Sequence, residues 1–179
     1  MSTTTDGWEE VAVPRGQFIG WGDKPGQKVT GEVLEYVDDG GTDFDGKVCP
    51  QVSVVLTEEA HSHSKQNGWS KVDAGELVVI NCGQASLKRA VQAGRLNAGD
   101  LMQLEMSGIE PLSGGRTVKV FKIRVKRGNG ELSQRAQEAM SKAAADDKAA
   151  AATTNGSDDP WGSAPPANAF ADGADEPPF

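Results

Sequence analysis

The chain has 179 residues, a formal net charge of −8 and two cysteines. That length allows one domain of ordinary size plus a tail. The first twenty residues carry no apolar signal-peptide core and no run is long enough to cross a bilayer, so neither export nor membrane insertion is expected and the protein reads as cytoplasmic.

The charge is unevenly distributed. Residues 1–83 hold 14 acids and 6 bases, residues 84–127 hold 3 acids and 9 bases, and residues 128–179 hold 9 acids and 3 bases. A basic block therefore sits between two acidic ones, and a whole-chain sum hides that local field. Cys49 and Cys82 each lie in or beside apolar strand-like runs, and read as buried thiols sooner than as a disulfide.

Residues 1–12 are polar and are expected to be a flexible N-terminus, and a folded domain is expected over residues 13–127. The first strand runs from Lys28 to Val37. Val29, Gly31 and Val33 hold one phase; Leu34 and Tyr36 take the other, and a slip of that kind beside a glycine marks a bulge or sharp coil. Asp38, Asp39, Gly40 and Gly41 form a turn. The second strand is Val48 to Thr57, where Val52, Val54 and Leu56 alternate with Ser53, Val55 and Thr57. A polar loop, Glu58 to Ala74, carries His61, His63, Lys65, Trp69 and Lys71. The third strand is Glu76 to Cys82. Ala85 to Leu96 forms a short amphipathic helix with Leu87, Ala90, Val91 and Leu96 on one face and Lys88, Arg89 and Arg95 on the other. Leu101 to Ile109 is the fourth strand, Pro111 to Gly115 a hairpin loop, and Arg116 to Arg127 the fifth strand, with a phase slip between Val120 and Phe121.

Three strands, a helix and two strands are the element order of an OB-fold. The expected fold class is therefore all-β: a five-stranded barrel with its helix between strands three and four, or a generic small antiparallel barrel or split sheet. Residues 128–179 form a low-complexity acidic tail. Glu131 to Ala145 is alanine-rich and reads as an exposed helix. Beyond Asp146 too little apolar surface remains to offset the entropy of ordering, so disorder is expected. Two places in this tail repeat one pattern of acids, proline and an aromatic: Asp158, Asp159, Pro160, Trp161 and Asp175, Glu176, Pro177, Pro178, Phe179. Solubility explains the acids but not the rings, so the second copy reads as a tip that binds partner proteins.

The fifth strand is dense in cations. Arg116, Lys119, Lys122, Arg124, Lys126 and Arg127 lie in one stretch uninterrupted by an acid. Lys122, Arg124 and Lys126 share a face, with Ile123 and Val125 opposite. Six cations exceed what protection of an edge strand requires. Cations beside flat rings are what non-specific binding of single strands needs. Trp69, flanked by Lys65 and Lys71, reads as a stacking ring or a loop anchor. Trp21, in the glycine-rich stretch beside Lys24, and Tyr36 read as stacking rings or as core. Phe44 lies between two aspartates, and Phe121 falls at the slip.

No catalytic constellation is legible, so no enzyme is expected. There is no GxxxxGK[ST] phosphate loop. Asp38, Asp39, Asp43 and Asp45 do not match a calcium loop. Cys49, His61, His63 and Cys82 lack the cysteine-pair spacing of structural zinc. Neither a metal nor a cofactor is expected.

The basic strand and the tail together resemble the bacteriophage single-stranded-DNA-binding proteins. The tip Asp175, Glu176, Pro178 and Phe179 is similar to the acidic C-terminal tips of bacterial single-stranded-DNA-binding proteins, although Pro177 departs from the aliphatic residue common there. The resemblance implies an OB-fold that coats and protects single-stranded DNA during replication, recombination and repair in the host cytoplasm. It also implies that the tip recruits replication, recombination or repair proteins; a homo-oligomer is compatible with such a barrel, and the sequence does not select between monomer, dimer and tetramer. On that reading Trp21, Tyr36, Lys65, Trp69, Lys71, Arg116, Lys119, Lys122, Arg124, Lys126 and Arg127 form the DNA surface. Asp175, Glu176, Pro177, Pro178 and Phe179 form the partner-binding tip. The alternative is a protein-interaction or RNA-binding barrel module with no single-stranded-DNA role.

Overall fold

The computed structural model of the chain describes residues 16–153. Residues 1–12, Trp161 and the tip Asp175–Phe179 lie outside the described residues. In chain order the elements are β1 (Gln17–Phe18), β2 (Lys28–Thr42), β3 (Val48–Leu56), β4 (Ala60–Ser64), β5 (Gly68–Val72), β6 (Leu77–Asn81), α1 (Ala85–Gly94), β7 (Leu101–Pro111), β8 (Thr117–Lys126) and α2 (Gln134–Thr153).

β2 serves two neighbours because it is long and changes phase. Its first residues, Lys28 to Glu32, pair antiparallel with Glu105 to Leu101 of β7, while Gly31 to Thr42 pair with Leu56 to Val48 of β3. The register shifts between Val33 and Glu35, so Val33 opposes Val54 and Tyr36 opposes Val52. Both thereby reach the same core, although their sequence spacing is odd. Gly31 sits where β2 crosses from β7 to β3, and a Cβ there would run into the Val55 carbonyl.

The inner face of the sheet buries Val29, Val33, Val52, Val54, Val78, Ile80, Met102, Leu104, Met106 and Phe121. Leu87 and Val91, one helical turn apart on α1, close that core from the side of β8, where Gly94 lets Ile123 and Val125 approach. Each fully buried side chain of this size contributes on the order of 1.5–3 kcal/mol. On the other face of the sheet, Ala136 and Ala139 of α2 pack on Val55 and Leu77, with Leu34 and Leu132 beside them. No helix among the described residues is long and apolar enough to cross a membrane.

The all-β, five-stranded OB barrel is not formed. The described residues form eight strands in two open sheets and two helices, a mixed α/β arrangement. The larger sheet has the order β1-β6-β3-β2-β7-β8, and β4-β5 is a separate hairpin. Among the described residues no ladder joins β6 to β8. β6 gives its outer edge to β1, in parallel register with Gln17 opposite Val78 and Phe18 opposite Val79. The outer edge of β8 meets α1 instead, where the Phe121 N–H donates to the Ser86 hydroxyl at 3.2 Å. The polar loop expected over residues 58–74 is the β4-β5 hairpin, with Ala60 opposite Val72 and both buried. Lys71 bridges to Glu59 at 2.8 Å across its base.

Candidate functional site

β8 alternates cleanly beyond its slip. Phe121, Ile123 and Val125 turn into the core, and Lys122, Arg124 and Lys126 stand exposed on the opposite face. Residues two apart on a strand are roughly 7 Å apart, so the three cations form an evenly spaced row. Their cross-strand neighbours on β7 are Glu105, Gln103 and Leu101, and beyond these on β2 stand Lys28, Thr30 and Glu32. Arg124 donates to Gln103 Oε1 at 3.1 Å. Among the described residues Lys122, Arg124 and Lys126 make neither an ion pair nor a cation–π contact. α2 packs on β3 and β6, which leaves this part of the outer face uncovered.

Two other cations of the basic block, Arg127 and Lys119, have structural partners. Arg127 donates to the Gly94 and Arg95 carbonyls at 2.7 Å each, answering the free C=O groups at the end of α1. The same guanidinium bonds Asp100 Oδ2 at 2.7 Å. Burial alone would raise the Asp100 pKa. The Gly128 N–H, the Arg127 guanidinium and the Asn97 N–H outweigh it and hold the carboxyl below its ordinary range. Lys119 reaches across to the Trp21 carbonyl at 2.7 Å and to Asp23 at 3.4 Å. Arg116 closes the β7-β8 turn, its carbonyl accepting the Leu112 N–H at 2.7 Å.

The rings are equally committed. Trp21 is 9% exposed and meets Phe121 edge-on, with centroids 4.9 Å apart. Tyr36 faces the core and donates to Asp38 at 2.7 Å. Burial and then the Asp38 carboxylate push its phenol up to about 12. Trp69 lies over Gly22, where a Cβ would strike its ring, and meets His63 edge-on at 5.0 Å. It remains 41% exposed. Lys65 lies exposed in the β4-β5 turn, and Lys71 is held between Glu59 and Asp73, which raise its pKa. The structure therefore groups Lys65, Trp69 and Lys71 on the hairpin and Lys122, Arg124 and Lys126 on β8.

A polar clamp that sequence reasoning missed joins the hairpin to the segment after β1. Gln27 Nε2 donates to the Gly20 and His61 carbonyls at 2.7 Å each, and its Oε1 accepts the Gly22 N–H at 2.9 Å. Ser62 Oγ accepts the Gly20 N–H at 2.9 Å and donates to the Phe18 carbonyl. Gly20 is needed there, because a Cβ would overlap the His63 carbonyl. Nothing in the local pattern marks Gln27 as buried. Glycines at 16, 20, 22 and 26 were the available signal that backbone approaches backbone closely in this segment.

Among the described residues no group of His, Cys, Asp and Glu is placed to hold a metal ion. Asp43 accepts the Asp45 and Lys47 N–H groups, organising the turn that leaves Phe44 fully exposed. Cys49 and Cys82 are free and buried, and burial pushes the Cys82 thiol up to about 12, so it stays protonated.

Comparison with protein-family models, with curated proteins and with solved structures finds no match. The resemblance to phage single-stranded-DNA-binding proteins is therefore corrected on two counts. The open mixed α/β fold is not their closed barrel, and no relative supports the kinship. The inferred role in coating single-stranded DNA for replication, recombination and repair falls with it, because its mechanism required the barrel.

Proposed function

We propose that this protein is a non-catalytic interaction module that docks an acidic polypeptide segment on the outer face of β7 and β8. The carrying observation is the row Lys122, Arg124 and Lys126, exposed and without ion pairs on the part of the sheet that α2 leaves uncovered. An acidic segment suits that row better than a polynucleotide. The cross-strand neighbours are Glu105, Gln103 and Leu101, with no ring on which a base would stack. Glu105 stands opposite Lys122 and repels a continuous run of phosphates, whereas a peptide can set an uncharged residue there. Exposed pairs contribute about 0.2–1 kcal/mol each, so the contact is weak and salt-sensitive.

The acid–proline–aromatic tip, Asp175 to Phe179, belongs to the same reading as a second contact point, through which the module recruits other proteins. A cytoplasmic location fits two free, buried cysteines.

The test is fluorescence anisotropy of a labelled aspartate- and glutamate-rich peptide titrated with the full chain. Binding that weakens as salt rises, and that falls at least about tenfold in Lys122→Glu/Arg124→Glu/Lys126→Glu, supports the module. Binding of an oligonucleotide of equal charge in place of the peptide, or peptide affinity unchanged in the triple variant, overturns it.

A further inference from the structure

We infer that the groove between the start of β7 and the start of α2 is an apolar subsite for one side chain of the docked acidic segment. This inference rests on the docking face proposed above. The groove has a volume of about 670 Å³ and runs beside the cation row, because Leu101 in its wall stands directly opposite Lys126. Leu101 is 38% exposed on an otherwise polar face, and half-buried Leu132 lines the groove with it.

Two glycines shape this groove. Gly99 has φ +82°, and a Cβ there would press on the Glu131 carbonyl. A Cβ at Gly128 would overlap the Gly99 carbonyl. The chain leaving β8 therefore lies directly against the turn before β7, and α2 begins next to Leu101.

The floor does not suit a carboxylate. Glu32 is buried there and accepts both the Ser133 N–H, at 2.7 Å, and the Ser133 hydroxyl. The first turn of α2 thus already has its anion, supplied from β2. A second carboxylate entering the groove would meet Glu32. Glu131 also lines the groove, so acids remain favourable only beside it: at the exposed Arg135 of its lining and along β8, where Lys126 stands opposite Leu101 and Arg124 opposite Gln103. The surface accordingly selects a segment with an aliphatic or aromatic residue between acids. The ring or aliphatic chain lies over Leu101 and Leu132, and the acids lie over the cations. Charge complementarity of this kind, with one buried anchor, is how a weak electrostatic contact acquires selectivity.

The full chain is titrated with two labelled peptides of equal charge, one with a central phenylalanine among acids and one with serine there. The phenylalanine peptide is expected to bind about tenfold tighter, the scale of one partly buried ring. Leu101→Ser, at an exposed position, should remove that difference, so that the variant binds the two peptides equally. Equal affinities for the two peptides would overturn the subsite and leave the docking face standing. Failure of both peptides would overturn the docking face itself. Binding that appears only after removal of residues 154–179 would assign the groove to the chain's own tail. A dimer in light scattering that Leu101→Ser dissociates would assign it to a second copy. Either of these last two results overturns an external partner.

Discussion

The Gln27 side chain donates to the Gly20 carbonyl at 2.7 Å, and through it the segment after β1 is bound to the start of β2. The same amide holds His61 of the hairpin and Gly22, so one buried side chain joins three backbone segments. Gln27→Ala should leave two carbonyls and one N–H without these bonds. A loss of roughly 2–4 kcal/mol is expected, at about 1–3 kcal/mol for each group left unpaired and with partial rescue by water. Urea unfolding measures it. Near-UV circular dichroism should lose the contribution of the Trp21–Phe121 pair, which lies next to the clamp.

Asp100 makes stability depend on pH in the acidic range. Its pKa is held below the ordinary carboxylate value, so its stabilising contribution is fully present above about pH 4. That contribution is lost as pH falls through the lower, folded-state titration. Asp100→Asn should cost about 1–3 kcal/mol at pH 7, the scale of hydrogen bonds to a charged group. It should also flatten the dependence of the urea midpoint on pH below 4. A midpoint that falls with acid as steeply as in the parent would place the titrating group elsewhere.

Ser133 is the N-cap of α2. Its hydroxyl accepts the Ala136 N–H at 3.2 Å and donates to Glu32. α2 buries mainly alanines against the sheet, so apolar contact holds it weakly and the polar lock matters more. Ser133→Ala should cost about 1 kcal/mol. Hydrogen exchange of the α2 amides should accelerate by roughly fivefold while those of β2 and β3 keep their protection.

β2, β3, β6, β7, β8 and α1 were legible because their signals are local. Alternation at Val52 to Thr57 and the spacing of Leu87 and Val91 need no information from elsewhere in the chain. The slip after Val33 was also readable, and it appears as a register shift. The alanine-rich helix was expected over Glu131 to Ala145; it runs Gln134–Thr153, and Ser133 as its cap was not read from the sequence. Barrel closure was not legible. It turned on whether β6 would spend its outer edge on β8 or on Gln17 and Phe18, and hydrogen bonding along an edge leaves no side-chain signature. The β4-β5 hairpin was hidden because its exposed positions, Trp69 apart, are polar and only Ala60, Ser62 and Val72 turn inward.

By itself the sequence determined the charge map and the alternation that puts Lys122, Arg124 and Lys126 on one face of a strand, because strand periodicity alone dictates that. Tertiary structure decided which cations remain available. Lys119 is taken by a carbonyl 98 residues away, at Trp21, and Arg127 by one 33 residues away, at Gly94. Cations of one short stretch thus divide into structural and exposed groups according to which backbone acceptors the fold brings within reach. The rings divide in the same way: Trp21 enters the core and Trp69 is laid on Gly22 because only the folded chain brings Phe121 and the segment after β1 to them.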